Sequence, residues 1–366
     1  MLTESSVLEA LRPVQDPELN RSVVDLQMVK SVSVNDHLVR VTVAMPSPEY
    51  PLRSELRDRV SAAVSAIPGV GSVAVDLAVM SEAEQKALAG LLQPAGAGTA
   101  KENPFLTART RVLAVASGKG GVGKSSVTTN LSIALARAGY SVAAVDADVW
   151  GFSMPRMLGI ERPPVLIDTL IVPPAAHGVK LVSMGFFARE DQPVIWRGPM
   201  LHKALEQFLT DVWWDEPQFL IVDMPPGTGD VSLSMAQFLP RAEVVVVTTP
   251  QPAAQKVAQR AAYMAQKVNL TVTGVVENMS WFRGDDGKAY EIFGHGGGQE
   301  LADALGVPLL GQVPLVPELR EGGDVGRPIM VVDPDNEASQ AFTEIARRLH
   351  EDLAPKRVYR KELRIV

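Results

Sequence analysis

The spacing of apolar residues along the first quarter of the chain predicts a small α+β domain. Apolar and polar positions alternate at 32–34, 39–43 and 73–79, as in strands that bury one face. Turn-forming residues between the first two stretches predict a hairpin. Apolar residues recur every three or four positions over 52–67, which predicts a helix, and Thr3 is placed to cap an earlier one. The expected order is helix, hairpin, helix, strand.

From residue 111 onward the pattern changes to short, mostly apolar runs separated by stretches with helical spacing. Near-continuous apolar runs are typical of parallel strands buried on both faces, and the alternation with helices predicts that helices cover both faces of the sheet. We therefore predict an α/β fold with a mostly parallel sheet and helices on both faces, preceded by the small α+β domain. The apolar runs lie at 111–116, 141–145, 219–222, 243–249 and 271–276.

These patterns divide the chain into four parts. We assign residues 1–92 to the α+β domain and residues 109–353 to the α/β domain. Residues 93–108 have no periodicity and are rich in Pro, Gly and Ala, so we predict a flexible linker. Residues 354–366 carry five basic residues against one acidic residue and form a basic tail.

Composition excludes several classes of function. A net charge of −7 argues against a globally basic protein that binds nucleic acid. No apolar run approaches the roughly 20 residues that a membrane helix needs, and the first residues lack the features of a signal peptide. We therefore expect a cytoplasmic protein. The 366 residues include no cysteine, which excludes disulfides and thiolate metal sites within the chain.

Residues 117–126, here termed the phosphate loop, carry the clearest chemical signal. They satisfy the pattern G-x-x-x-x-G-K-[ST] between an apolar strand and a helix. Glycines let backbone N–H groups turn toward a phosphate, and the helix N-terminus adds unpaired donors and the positive end of its dipole. We therefore predict that the chain binds ATP. The expected nucleotide contacts are Gly118, Lys119, Gly120, Gly121, Val122, Gly123, Lys124, Ser125 and Ser126.

Side chains beside the phosphate loop suit phosphoryl transfer. We expect Lys124 to reach the β- and γ-phosphates and the Ser125 hydroxyl to ligate Mg²⁺. Asp223 ends an apolar strand and suits a carboxylate that holds Mg²⁺ through water. Asp148 follows another strand, and we predict that it orients the attacking water, because Asp146 lies nearer the strand interior. The alternative is that these carboxylates only cap turns or helices.

Lys119 indicates the class of phosphate loop. An ordinary loop does not require a lysine directly after its first glycine, whereas Lys-Gly-Gly-Val-Gly-Lys-Ser resembles the deviant Walker A class. That class includes the nitrogenase iron protein, MinD, ParA and the Mrp/ApbC ATPases. The resemblance implies a homodimer in which Lys119 reaches the nucleotide of the partner subunit. A second cation near the β–γ bridge would stabilise the transition state, so Lys119 joins Lys124 and Asp148 as a candidate catalytic residue.

Further motifs within residues 111–335 indicate which family of the deviant Walker A class the chain resembles. They are Asp-Ala-Asp-Val-Trp-Gly-Phe-Ser at 146–153, Trp-Arg-Gly-Pro-Met at 196–200, Asp-Met-Pro-Pro-Gly-Thr-Gly-Asp at 223–230, Val-Glu-Asn-Met-Ser at 276–280 and Phe-Gly-His-Gly-Gly-Gly at 293–298. Together they resemble the Mrp/ApbC family. The resemblance implies an ATPase, slow and coupled to dimerisation, that carries or helps insert iron–sulfur clusters. It also implies that Asn278 and the backbone at Val313 and Pro314 contact adenine.

The first domain carries a resemblance of its own. Residues 16–19, 24–29 and 46–52 resemble the PaaD-like domain of iron–sulfur assembly proteins. For the acidic residues Asp16, Glu18 and Asp25 we favour turn and capping roles over chemistry. The family resemblance implies partners that are iron–sulfur assembly proteins or apoprotein clients, besides a second copy of the chain. Neither nucleic acid nor a membrane is an expected partner.

The chain departs from both families where they commonly have cysteine. Tyr50 stands between the prolines of the PaaD-like motif, and residues 283–287 stand where Mrp/ApbC proteins often have a C-x-x-C pair that holds a bridging [4Fe–4S] cluster. Asp285 and Asp286 are hard oxygen ligands and poor substitutes for thiolates, so a hairpin turn is the favoured interpretation. His295 has no partner ligand in the sequence and is interpreted as a loop residue. We therefore expect no cluster held by this chain itself.

Two other functions remain open at this point. The chain resembles MinD and ParA enough for an ATP-dependent positioning switch, which would reach a membrane through the basic tail. A disordered or docked tail is the simpler interpretation of 354–366. The other alternative is a module in which ATP only sets the affinity for a client.

Overall fold

The computed structural model describes residues 2–93, 106–107, 109–149, 151–187, 198–227 and 230–353. Most of the predicted linker and all of the basic tail lie outside the described residues, as do parts of three family motifs, at 150, 196–197 and 228–229. The bounds of the four predicted parts therefore stay a prediction.

The first domain has the predicted order of elements, with one helix added at its end. Strands β1 and β2 are antiparallel, and β3 lies parallel to β2 because the connection between them crosses over through α2. Thr3 caps the first helix in a capping box with Ser6. The elements are α1 (Glu4–Leu11), β1 (Val29–Asn35), β2 (Leu38–Met45), α2 (Arg53–Ser65), β3 (Ser72–Val79) and α3 (Glu82–Leu92).

The second domain is built on an eight-stranded sheet with the order β15-β12-β11-β4-β10-β5-β9-β8. Within the described strands, neighbours in this sheet pair in parallel except at one edge, where β8 is antiparallel to β9. Two short hairpins, β6–β7 and β13–β14, lie outside it. The strands are β4 (Arg111–Ser117), β5 (Val142–Asp146), β6 (Val165–Ile167), β7 (Leu170–Val172), β8 (Ala175–Ala176), β9 (Val179–Ser183), β10 (Phe219–Asp223), β11 (Glu243–Thr248), β12 (Thr271–Asn278), β13 (Phe282–Arg283), β14 (Ala289–Tyr290) and β15 (Leu309–Val313).

Helices cover both faces of this sheet, as the sequence predicts. They are α4 (Lys124–Arg137), α5 (Met154–Leu158), α6 (Gly198–Thr210), α7 (Asp230–Phe238), α8 (Pro252–Lys267), α9 (Gly297–Leu305), α10 (Pro317–Asp324), α11 (Ile329–Val332) and α12 (Glu337–Arg347), with a 3₁₀ turn at Met184–Phe187 and a π turn at Arg348–Asp352. In the part of the chain that the structure describes, no helix is both long and apolar enough to cross a bilayer.

Alternate residues of each central strand enter two separate hydrophobic clusters. Leu113 and Val115 of β4 pack in the cluster that contains α4 and α12, whereas Val112 and Ala114 pack in the cluster that contains α8. The cluster that contains α8 continues into the first domain, where it includes Leu56 of α2. The two domains therefore share one buried apolar region, and the strand ends that carry the predicted site residues are fixed from both faces.

Candidate nucleotide and magnesium site

The phosphate loop begins where β4 ends and leads directly into α4. Gly121 and Gly123 have φ values of +81° and +78°, which residues with a Cβ rarely adopt, and Gly123 caps the helix. A Cβ at Gly123 would also overlap the side-chain amide of Asn278. Gly123 is thus required both by the backbone conformation and by close packing, and Gly121 by the backbone conformation.

Gly118 is required for a different reason, which sequence reasoning missed. A Cβ at this position would overlap the backbone of α8 at Val257 and Ala258. Helix α8 therefore lies directly against the phosphate loop, and its first residue follows Gln251, whose Oε1 atom lies 3.4 Å from the Lys119 ammonium. Lys119, the predicted trans-acting lysine, is half-buried in this position within one chain.

Lys124 lies between two of the predicted carboxylates. Its Nζ atom is 2.7 Å from Asp223 Oδ2 and 3.8 Å from Asp148 Oδ2, and the lysine is only 6% exposed. This convergence follows from the sheet order, because β10, which ends at Asp223, lies between β4 and β5. The site therefore concentrates one cation and two carboxylates where a polyphosphate and its metal ion would lie.

Asp223 is fully buried and receives two hydroxyl hydrogen bonds from the first turns of α4. Ser125 Oγ donates to Oδ2 at 2.5 Å, and Thr128 Oγ1 donates to Oδ1 at 2.7 Å. Sequence reasoning missed Thr128, although it lies one turn after Lys124 and so faces the same side of the helix. The hydroxyl of Ser125 and the carboxylate of Asp223 are hard oxygen donors in contact with each other, and this set fits Mg²⁺.

Asp146 organises the loop that carries Asp148. The buried Asp146 carboxylate accepts hydrogen bonds from the Ser153 and Met154 backbone N–H groups, at 3.1 and 3.2 Å, and from Ser183 Oγ at 3.0 Å. Burial, reinforced by the neighbouring charge of Asp223, raises the pKa of Asp146 to about 7. Asp148 Oδ1 accepts the Gly151 N–H at 3.2 Å. The Asp146 carboxylate thus binds backbone N–H groups of the loop, while the Oδ2 atom of Asp148 faces Lys124.

Asn278 and Pro314, the predicted adenine contacts, lie side by side at the ends of β12 and β15. Asn278 is the register partner of Val313, the residue before Pro314, and both Asn278 and Pro314 are buried. Asn278 Nδ2 donates to the Val122 carbonyl at 2.9 Å, while its buried Oδ1 atom has no hydrogen-bond partner. An unpaired buried acceptor beside the phosphate loop fits the amino group of a purine. Asn278 also braces the loop, a role that the sequence did not indicate.

The glycine-rich motif at 293–298 is attached to the same strand end by Glu277. This fully buried carboxylate accepts the Gly298 N–H at 2.5 Å and the Gln312 side-chain amide at 2.7 Å. His295 is a loop residue, as predicted, with its ring nitrogen 3.0 Å from the Glu291 carboxylate on the surface. The motif therefore has a structural explanation within this chain.

The segment at 283–287 forms a turn between β13 and β14, which confirms the predicted hairpin. Asp286 accepts hydrogen bonds from the Lys288 N–H at 3.1 Å and the Tyr290 hydroxyl at 2.8 Å, and these bonds lower its pKa. Arg283 pairs with Glu337 at 2.6 Å. Among the described residues, no group of three or more His, Asp and Glu side chains is arranged to hold a metal ion.

The strand order, the glycine loop after β4 and the carboxylates at the neighbouring strand ends define a P-loop NTPase. A family model described as "NUBPL iron-transfer P-loop NTPase" matches residues 108–350, and one described as "Iron-sulfur cluster assembly protein" matches residues 4–76. The chain belongs to this iron-transfer family of P-loop NTPases. The resemblances of both domains that the sequence indicated are thereby confirmed.

Individual relatives agree with this assignment along most of the chain. The iron–sulfur cluster carrier protein of Mycobacterium leprae (strain TN) is 45% identical over 354 residues, which cover 94% of this chain and 91% of the relative. A nucleotide-binding protein from Archaeoglobus fulgidus in complex with ADP is 32% identical with a TM-score of 0.56, and the match covers 64% of this chain and 93% of that one. The likeness is therefore not confined to single motifs.

The septum site-determining protein MinD of Pyrococcus horikoshii, solved with Mg-ADP, shares the fold. It is 24% identical with a TM-score of 0.50, and the match covers 67% of this chain and 97% of that one. The predicted fold class, a mostly parallel sheet with helices on both faces, is confirmed. At this identity the likeness concerns the fold alone.

Proposed function

We propose that the protein is a Mg²⁺-dependent ATPase that acts in the maturation of iron–sulfur proteins. The main support for ATPase activity is the position of the Lys124 ammonium. It lies 2.7 Å from Asp223 and 3.8 Å from Asp148 at the end of a glycine loop. Phosphoryl transfer depends on positioning and charge neutralisation, which this arrangement supplies. The relative from Archaeoglobus fulgidus, a complex with ADP, supports a nucleotide in the same place.

Each polar group at the site has a distinct proposed role. The loop N–H groups and Lys124 bind phosphate oxygens, and Lys124 then exchanges its contact with Asp223 for the phosphates. Ser125 and Asp223 would hold Mg²⁺, which when bound neutralises charge on the β- and γ-phosphates. Asp148, held by the Gly151 N–H, orients the attacking water. Phosphate release from ATP, measured with and without Mg²⁺, tests this proposal, and a chain that binds ATP but releases no phosphate contradicts it.

We further propose that hydrolysis is slow and coupled to dimerisation, because Lys119 is not needed by a phosphate loop that works alone. In this chain the Lys119 ammonium lies 3.4 Å from Gln251 Oε1, a neutral partner from which it is easily released. Reaching across a two-fold axis would place its charge beside the nucleotide of a second copy. The proposed partner in hydrolysis is therefore an identical chain.

A non-hydrolysable ATP analogue with Mg²⁺ should double the mass of the protein in light scattering, whereas ADP should leave it monomeric. The triphosphate is the group that bridges the two loops, so its loss removes the attraction between the subunits. Lys124→Ala, which cannot hold the γ-phosphate, provides the matched control and should stay monomeric with the analogue. A wild-type chain that is monomeric at every concentration and still hydrolyses ATP fully would exclude a trans-acting Lys119.

The link to iron–sulfur clusters rests on the family and on the relative named as a cluster carrier. In the proposed function the cluster is cargo, and this chain contains no cysteine to bind it. In place of cysteine, Tyr50 is buried with its hydroxyl 2.6 Å from Asp16, and Asp286 is occupied within the β13–β14 turn. We therefore propose that an iron–sulfur assembly protein or an apoprotein client supplies the thiolates, and that the ATPase drives the shape change of that complex in the cytoplasm.

Anaerobic reconstitution of the purified protein with iron and sulfide should leave no stable [4Fe–4S] cluster after desalting. The physical reason is that clusters depend on soft thiolate ligands, and carboxylates replace them poorly. Iron and sulfide analysis, with absorbance in the thiolate charge-transfer region, measures the outcome. A cysteine-containing protein of the same family, put through the procedure in parallel, controls for failed reconstitution. A stoichiometric cluster that survives desalting would overturn the prediction and require ligands other than cysteine.

A further inference from the structure

A loop of the first domain, residues 16–21, docks on the second domain and is here termed the docking loop. The Glu18 carboxylate forms an ion pair with the Arg162 guanidinium, and the two side chains are 3% and 24% exposed. Arg162 also donates to the Ala175 carbonyl at 3.3 Å. The sequence indicated only turn or capping roles for Glu18, so this contact between domains is a finding of the structure.

The docking loop is held rigidly within its own domain. Asp16 Oδ1 accepts the N–H groups of Glu18 and Leu19, at 3.0 and 2.9 Å, and the Tyr50 hydroxyl at 2.6 Å. Asp16 thus has the turn role that the sequence predicted. These hydrogen bonds fix the backbone at Glu18, so the ion pair with Arg162 ties Arg162 to the first domain.

Arg162 is connected to the candidate catalytic loop by a short and well-anchored segment. Helix α5 lies between Asp148 and Arg162, and its first residue, Met154, donates its N–H to Asp146 at the nucleotide site. At the other end of α5, Gly159 turns the chain with φ +68° and packs against Gly326, leaving no room for a side chain. Helix α5 therefore forms a short connection, anchored at both ends, between Arg162 and the nucleotide site.

We propose that Glu18 and Arg162 are positioning residues for ATP hydrolysis, through which the first domain holds the Asp148 loop in its hydrolytic arrangement. The inference rests on the proposed function, in which Asp148 orients water. Coupling between two sites is reciprocal, so nucleotide binding also changes how tightly the docking loop is held. The two domains are then one catalytic unit.

Steady-state kinetics of Glu18→Gln, Arg162→Ala and the double variant test the inference. We expect each single variant to lower kcat about five- to tenfold and to weaken ATP binding by a smaller factor, because binding coupling is reciprocal. The double variant should be no worse than either single variant, because the pair acts as one contact. Arg162→Lys, which keeps the charge, should recover part of the loss. Arg40→Ala, which breaks an exposed 2.7 Å ion pair with Asp76 inside the first domain, is the matched control and should keep wild-type kcat.

Hydrogen exchange of the docking loop gives a readout that does not need hydrolysis. A non-hydrolysable ATP analogue with Mg²⁺ should change the exchange rate of the 16–21 backbone in the wild type and in Arg40→Ala. The change should be clearly smaller in Arg162→Ala, where Arg21 of the docking loop keeps its 2.7 Å ion pair with Asp215 of the second domain. Unchanged exchange in the wild type, or wild-type kcat in Arg162→Ala, overturns the inference. A wild-type chain that releases no phosphate contradicts the proposed function instead, and the exchange experiment still decides whether the site and the docking loop are coupled.

Discussion

Lys124→Ala should lower ATP turnover by at least about 10²- to 10³-fold, the scale seen when a group that stabilises developing charge is removed. Lys124 is the cation at the centre of the site, in contact with Asp223 and 3.8 Å from Asp148. Without it, the phosphate oxygens lose their main neutralising side chain in both the ground state and the transition state. Both the affinity for ATP and kcat should therefore fall.

The same substitution has a second expected effect on the protein without nucleotide. It leaves the fully buried Asp223 without its ion-pair partner, and breaking a buried pair typically costs about 3–5 kcal/mol in the free energy of unfolding. Thermal unfolding with and without Mg²⁺ measures this loss, and added Mg²⁺ should recover part of it. Lys86→Ala, which removes an exposed lysine of α3, is the control. Turnover of Lys124→Ala within tenfold of the wild type would contradict the assigned role.

Asp148→Ala should lower kcat by about 10²-fold while the KM for ATP changes little, because a group that orients water contributes mainly to the transition state. The Oδ2 atom of Asp148 faces Lys124, and Oδ1 is used by the Gly151 N–H. Asp148→Asn keeps that hydrogen bond and removes only the charge. A similar loss in both variants would assign the effect to the carboxylate and not to the loop conformation.

Single-turnover kinetics and fluorescent-nucleotide binding distinguish an effect of the Asp148 substitutions on the chemical step from an effect on the affinity for ATP. The exposed Asp168, in the turn between β6 and β7 at φ +56°, offers a matched control, since asparagine also tolerates this conformation. Asp168→Asn should behave as the wild type. If Asp148→Ala hydrolyses ATP at the wild-type rate, another group orients the water.

The sequence predicted those parts of the site that depend on local pattern or on strand order. The phosphate loop is set by consecutive glycines, and the convergence of Asp148 and Asp223 follows from the rule that parallel strands present their carboxyl ends at one edge. The catalytic and ligand roles of these residues, and those of Lys119, Asn278 and Pro314, stay predictions. Their positions around the loop agree with the proposed roles.

Contacts between residues distant in sequence were not predictable from pattern. Glu18 and Arg162 are 144 positions apart, and nothing in either local sequence indicates the other. Helix α3, in contrast, was predictable from a local signal, because Ser81 and Glu84 form a capping box that the sequence displays as S-x-x-E. The strands β6 to β8 have two or three residues each, too few to show a period.

The contact of Gly118 with the backbone of α8 links the position of that helix to the position of the phosphate loop. At 16 residues α8 is about 24 Å long, and it touches the phosphate loop at Val257 and Ala258, nearer its first residue than its last. Because no gap separates the loop from the helix backbone, the loop cannot shift toward α8 unless the helix moves as well. A rotation of α8 about that contact would displace its far end, which carries the exposed Tyr263 and Lys267, more than its first residue.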